Sequence, residues 1–214
     1  MKKNVNDTII IGGGGNSSVL IEICDKIEDL KIIGYTDVED KGDILGIPYI
    51  GKEDTIDMSK KNVIIGLSYL KTPKDRSLRL KLISDFSTKK CLFPIVKSRS
   101  SIISKNVFIG VGTLIYEHVV VNVNTRIGSH SILNTSSIVE HDCVIANNFF
   151  LGPNSTICGN VKIGKNVFVG AGTVIQDDLN IVDNVVIGAG SVVTKSIFKE
   201  GLYYGNPAKF ISKI

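Results

Sequence analysis

From Ile103 to Val193 the chain repeats with a period of six. Every hexad opens on an aliphatic residue: Ile103, Ile109, Ile115, Val121, Ile127, Leu133, Val139, Ile145, Leu151, Ile157, Ile163, Val169, Ile175, Ile181, Ile187 and Val193. Ile, Leu and Val together supply roughly a quarter of ordinary residues, so an unbroken run of this length is no general apolar bias. Four residues after each aliphatic comes a second series, from Val107 through Thr125, Ser137 and Cys143 to Ser191, in which all but Phe149 and Leu179 are small or β-branched. The period fits neither the helical 3.6 nor the strand's alternation of two. It predicts a parallel β-solenoid of triangular section, in which three hexads close a coil and the segment makes about five coils. The aliphatic residue fills the interior and the small one fits inside the next corner. Glycine follows the aliphatic at Gly110, Gly128, Gly152, Gly164, Gly170 and Gly188, as corners needing positive φ would demand.

Before the repeat the pattern is different. Asp7 to Gly12 reads as a buried strand entering a glycine run, Gly12 to Gly15, followed by a helix with Val19, Leu20, Ile23 and Ile27 on one face. Bare N–H groups at such a helix start attract anions, which makes the turn a phosphate-facing loop or simply a tight turn. The dinucleotide fingerprint is only partly met. Lys31 to Tyr35 is a second strand, ending in Thr36-Asp37, where the acid either reads a ligand hydroxyl or caps the loop. An edge strand is expected near Gly46–Gly51, a third core strand over Asn62 to Leu67, a helix from Pro73 carrying Leu78, Leu82, Ile83 and Phe86, and a last strand over Cys91 to Ile95. This order implies a small parallel sheet with helices on its faces and a crevice at its carboxyl edge. The division is therefore an α/β Rossmann-like subdomain, residues 1–98, and an all-β domain, residues 99–214, closed by a C-terminal cap.

Charge adds exclusions. The net charge of +4 divides into seventeen basic against fourteen acidic residues up to Ser100 and eight against seven beyond it, with signs interspersed. Neither a nucleic-acid surface nor membrane insertion is expected. The apolar run Ile9 to Ile11 is too short for a signal peptide, and the widely spaced Cys24, Cys91, Cys143 and Cys158 suit a reduced compartment, so a cytoplasmic location is expected.

The three histidines, His118, His130 and His141, all fall in the repeat. His141 stands between Glu140 and Asp142, so that a carboxylate is at hand to orient the ring of a neutral-pH base. His118 and His130 occupy a corner position where a surface role is expected. Cys143 belongs to the inward series and reads as core. The histidine spacings of twelve and eleven do not match the five-residue ligand spacing of zinc-dependent anhydrases built on such repeats, and no metal site is predicted.

The hexads, the segment Leu133 to Ile145 around Glu140-His141-Asp142, and the closing Gly205-Asn206-Pro207-Ala208-Lys209 resemble the bacterial sugar O- and N-acetyltransferases of the hexapeptide-repeat, left-handed parallel β-helix superfamily. The glycine-rich start narrows the resemblance to the NeuD/PglD type. It implies a homotrimer using acetyl-CoA without metal, with His141 as general base assisted by Asp142 or Glu140, and Gly159 as backbone donor to the acetyl oxygen. It also implies Ala171, Ala189, Lys195 and Lys209 along the CoA cleft, with Phe150 on the CoA side of the site, where many relatives carry histidine. Gly14, Gly15, Asn16, Thr36, Asp37 and Gly66 match the nucleotide crevice, Asn16 again standing for a common histidine, and Asn134 matches a sugar contact. The leading expectation is N-acetylation of a nucleotide-linked 4-aminosugar, UDP-linked in the first instance. O-acetylation of sialic acid is the alternative, and a non-catalytic trimeric scaffold the third reading. The stretch Tyr69 to Asp75 lengthens the loop after Gly66 relative to the common pattern.

Overall fold

The computed structural model describes residues 6–59, 61–68 and 72–214; residues 69–71 of the long loop after Gly66 lie outside them. Three parallel strands, β1 (Asn6–Ile11), β2 (Leu30–Thr36) and β3 (Asn62–Ile65), form a sheet in the order β2-β1-β3. A sheet covered on both faces needs apolar side chains pointing both ways, which is why Ile9, Ile10 and Ile11 run consecutively. Ile10 faces helix α1 (Gly15–Cys24), whereas Ile9 and Ile11 face Phe86 of helix α2 (Pro73–Thr88). Thr72 and Asp75 close a reciprocal capping box at the start of α2, with Pro73 inside it, so this helix begins where its chemistry demands.

Two helical faces differ from the periodicity. Val19 and Leu78 are exposed and line a crevice, and the buried face of α2 carries Arg76, Arg79 and Phe86. In place of a strand over Cys91 to Ile95 there is a single bridge between Leu92 and Asn62. The expected edge strand is reduced to a bridge between Tyr35 and Tyr49.

The repeat forms a three-faced prism. Its first face begins at β4 (Val96–Lys97), which pairs with Leu114–Ile115, and continues through Ile132–Leu133, Phe150–Leu151, Phe168–Val169, Val185–Ile187 and Gly201–Tyr204. The second face runs from Ile102–Ile103 to Val192–Val193 and the third from Phe108–Ile109 to Asn180–Ile181. The prism thus has about six coils rather than five, because β4 and Gly201–Tyr204 extend it at both ends. Lys209–Ser212 pairs antiparallel with Gly201–Tyr204 and ends the sheet.

The aliphatic series is inside, fully buried from Ile115 to Ile187 but for a few per cent at Ile145, Ile163 and Ile181. Each such side chain contributes about 1.5–3 kcal/mol of burial. Polar members of the second series are buried, and all but Ser137 with partners: Thr125 Oγ1 donates to Glu140 O at 2.8 Å and Ser155 Oγ to Gly170 O at 2.8 Å. Cys143 is of this kind, its Sγ 3.2 Å from Cys158 O.

The corners correct one expectation. Positive φ falls three residues after the aliphatic, at Asn106, Gly112, His118, Asn124, His130, Ser136, Asp142 and onward, and not at the glycines directly after it. Those glycines answer a steric demand instead: a Cβ on Gly152 would lie 2.6 Å from Ala171 N in the next coil.

Candidate active site

The crevice expected at the carboxyl edge of the sheet is present, with a volume of about 710 Å³, and it lies between the sheet and the prism. Its floor is Gly12, Gly14 and Gly15 at the start of α1; one end is lined by Asp37, Val38, Lys41 and Glu53, the other by Tyr116, Asn134 and Thr135. Backbone N–H groups at the start of α1 make the middle of this crevice suited to an anion.

Several expected side chains turn out to hold the crevice together. Asn16 Nδ2 donates to Gly66 O at 2.8 Å, and Tyr116 donates its hydroxyl to Asn16 Oδ1. The residue thus links both glycine turns to the prism. Asp37 Oδ2 accepts from Gly13 N at 2.7 Å and from Lys41 Nζ at 2.9 Å, and its Oδ1 accepts from Val38 N at 2.7 Å. Its pKa is lowered by these bonds against the opposing effect of burial. Asp37 therefore braces the glycine loop while still lining the crevice. Thr36 is fully buried and does not line the crevice; its Oγ1 donates to Glu53 Oε1 at 3.2 Å. Asn134 does line it, with Oδ1 held by Thr135 N at 2.8 Å. Glu53, Lys41, Ser68 and Tyr116 had no signal in the sequence, since they come from loops and from the prism and meet only in the fold.

His141 is elsewhere, on the prism edge between the second and third faces. Asp142 takes φ 58° at the corner, which returns its carboxylate to the neighbouring ring: Nδ1 of His141 and Oδ2 of Asp142 are 2.8 Å apart. The other oxygen accepts from Asn124 Nδ2 at 3.1 Å in the preceding coil. Bonds from His141 and Asn124 hold the Asp142 carboxyl below its ordinary range, so it is ionised at neutral pH. Glu140 is bonded elsewhere: its Oε2 accepts from Asn122 Nδ2 at 2.7 Å. Gly159 stands one coil on from His141, and a Cβ there would lie 2.8 Å from Cε1 and 2.9 Å from Nε2 of the ring. The far side of the imidazole therefore faces backbone, with room that a side chain would fill.

The residues matched to a CoA cleft fall on two edges. Lys195 follows Val193 as His141 follows Val139, three coils further along the same edge and about 14 Å away at the usual strand spacing. Ala171 and Ala189 are on the edge between the first and second faces, in line with Thr135. Lys209 is exposed on the terminal hairpin. Phe150 is only 8% exposed, stacks on Phe168 at 4.7 Å and shares a buried cluster with Ile21 and Cys24 of α1. It belongs to the layer joining the prism to the first domain, because position 150 points out of the first face.

His130 also departs from the surface role expected of it. It is edge-on to Phe93 at 4.8 Å, its Nδ1 is buried without a partner among the described residues, and burial pushes its pKa down to about 4. Beside it Arg79 is fully buried, donating to Asn148 Oδ1 at 3.1 Å, His130 O at 3.0 Å and Leu67 O. Burial lowers its pKa to about 10, so it is charged at neutral pH. One guanidinium thus ties α2, the turn after β3 and two prism corners. Among the described residues no group of His, Cys, Asp and Glu is placed to hold a metal, and no helix is long and apolar enough to cross a membrane.

Comparison with known proteins agrees with this architecture. The PglD N-terminal domain matches residues 7–74, the bacterial transferase hexapeptide matches 142–177, and the hexapeptide repeat of succinyl-transferase matches 160–195. No curated protein matches in sequence. Among solved structures, PerB of Caulobacter crescentus, in complex with CoA and GDP-perosamine, is 27% identical with a TM-score of 0.88, over 97% of this chain and 98% of that one. WeeI of Acinetobacter baumannii AYE is 26% identical with a TM-score of 0.82, over 95% and 99%. The acetyltransferase domain of PglB from Neisseria gonorrhoeae FA1090, at 22% identity and a TM-score of 0.88 over 96% and 100%, shares the fold. With a PglD N-terminal domain in front of a hexapeptide-repeat β-helix and a histidine on its edge, this chain is similar along nearly its whole length to the hexapeptide-repeat sugar acetyltransferases of the NeuD/PglD type.

Proposed function

We propose that the protein transfers the acetyl group of acetyl-CoA to the 4-amino group of a nucleotide-linked aminosugar. The observation that carries this is the pair His141–Asp142, 2.8 Å apart, with Gly159 against the ring. With Nδ1 held as donor to an ionised carboxylate, Nε2 is left as the acceptor. It takes a proton from the sugar amine as nitrogen attacks the thioester carbonyl, the carbon–sulfur bond breaks, and the CoA sulfur leaves with that proton. The N–H of Gly159 is the donor for the negative charge growing on the acetyl oxygen, a contribution of roughly 3 kcal/mol in comparable sites. No acyl-enzyme is required, since Cys143 is buried in the prism and burial raises its pKa to about 11.

A single chain does not bring the parts together. His141, Gly159 and Lys195 line one edge of the second face, and the crevice residues Asn134 and Thr135, with Ala171 and Ala189, line the other. The outward side chains of that face are apolar except Thr156, with Ile102 63% and Val174 36% exposed. The first face is covered by the α/β domain, and the third sets Arg126, Lys162 and Asn180 among the exposed Phe108 and Val144, so it is the more polar of the two open faces. A head-to-tail ring using the second face would set the histidine edge of one copy against the crevice edge of the next, which is the closed arrangement of a homotrimer. Light scattering should give three times the 23.2 kDa of the chain, and a monomer would refute the arrangement.

The activity is tested by following CoA release from acetyl-CoA with UDP-, dTDP- and GDP-linked 4-aminosugars and with free sialic acid. An N-acetylated nucleotide sugar is the expected product. Turnover of free sialic acid alone would replace this reading with O-acetylation, and no CoA binding would leave a scaffold.

A further inference from the structure

The crevice has one polar group that the transfer chemistry does not use. Glu53 lines the end remote from the prism, with Asp37, Val38 and Lys41. Asp37 and Lys41 satisfy one another at 2.9 Å, and the remaining Asp37 bonds go to the backbone. Glu53 differs. Its Oε1 accepts from Thr36 Oγ1 at 3.2 Å, and among the described residues Oε2 accepts from nothing. Buried Thr36 fixes the carboxylate while one full edge of it faces the cavity. Val38, 70% exposed beside it, supplies an apolar surface for a flat ring.

The glycine floor, in the middle of the crevice, is where a diphosphate meets backbone N–H groups. Asn134 and Thr135 lie at the prism end, on the sugar side, so the nucleoside falls at the Glu53 end. A carboxylate there only accepts hydrogen bonds. It matches a base with adjacent donors, as guanine has in N1–H and the 2-amino group. Uracil offers one N–H between two carbonyls, which the carboxylate repels, and cytosine and adenine each place an acceptor beside their amine.

Resting on the nucleotide-sugar reading above, we propose that Glu53 reads the base and selects a guanine nucleotide, in place of the UDP-linked substrate that the family resemblance favours. Calorimetric titration of the full-length protein with GDP, IDP and UDP tests this, IDP differing from GDP by the 2-amino group alone. GDP should bind about tenfold or more tighter than IDP or UDP, as expected for hydrogen bonds to a charged group. In Glu53→Gln the GDP preference should vanish while UDP affinity stays as in the wild type, which also reports an intact fold. Equal binding of GDP and UDP, or a variant that weakens all three alike as a ribose contact would, overturns the assignment and leaves the nucleotide crevice standing. Failure of all three to bind removes the nucleotide reading itself.

Discussion

Asp142 Oδ2 stands 2.8 Å from His141 Nδ1 because Asp142 occupies the left-handed corner of its coil, at φ 58°. The corners in register from Asn106 to Gly190 adopt this conformation, most often through asparagine, which like aspartate tolerates it at small cost. The orienting acid is therefore built into the repeat. Asp142→Asn should keep the corner but lose the charge, lowering kcat by roughly 10²-fold with little change in KM. Glu140→Gln should leave kcat within a few-fold. The reverse ranking, measured by CoA release, would move the role to Glu140.

Gly159→Ala places a methyl group 2.8 Å from His141 Cε1, and φ at this position imposes no strain of its own. The ring must turn away from Asp142. A loss of kcat of roughly 10²-fold is expected, with the melting temperature nearly unchanged. Full activity in this variant would show that the ring is not held against residue 159.

Arg79→Met removes the shared donor from Asn148, His130 and Leu67, leaving buried acceptors unpaired. Such losses cost about 2–3 kcal/mol, or roughly 5–10 °C in melting temperature for a chain of this size. Arg79→Lys should recover only part, since an ammonium cannot span the same acceptors. A melting curve equal to wild type would deny that Arg79 clamps the α/β domain to the prism.

His130 gives a pH dependence of known sign. Its neutral form is the one the fold accepts, with a pKa of about 4 against 6.5 when unfolded. The unfolded chain therefore takes up the proton first, so stability is complete above the unfolded value and is lost as pH falls from 6.5 toward 4. Melting temperature measured across that window should fall more steeply in the wild type than in His130→Asn, which suits the same left-handed corner. Parallel curves would assign the acid sensitivity to other groups.

Much of this was legible in the sequence, and for a physical reason. The prism is set by contacts between residues eighteen apart, so its aliphatic and small positions recur strictly, and His141 announces itself by its place in the register. The crevice is legible only in outline. Gly14, Gly15 and Gly66 mark its turns, but Tyr116 reaches Asn16 across a hundred residues, and no periodicity encodes that contact. Arg79 lies on the same helical face as Leu82, Ile83 and Phe86, where an arginine reads only as a break in the apolar pattern, and its partners Asn148, His130 and Leu67 are visible only in the fold. Phe150 stacks on Phe168 one coil on, a contact between outward positions that the inward aliphatic series does not reveal. Thr36 and Asp37 were found as a motif, but their bonds make them supports of Glu53 and of the glycine loop.

The central claim is that His141 is the base in acetyl transfer to a nucleotide-linked aminosugar. It is tested most directly by kcat for CoA release from acetyl-CoA at saturating nucleotide-linked 4-aminosugar, in the wild type and in His141→Ala. A fall of roughly 10² to 10⁴ is predicted, with the affinity for both substrates retained. Wild-type turnover in the variant would contradict the account.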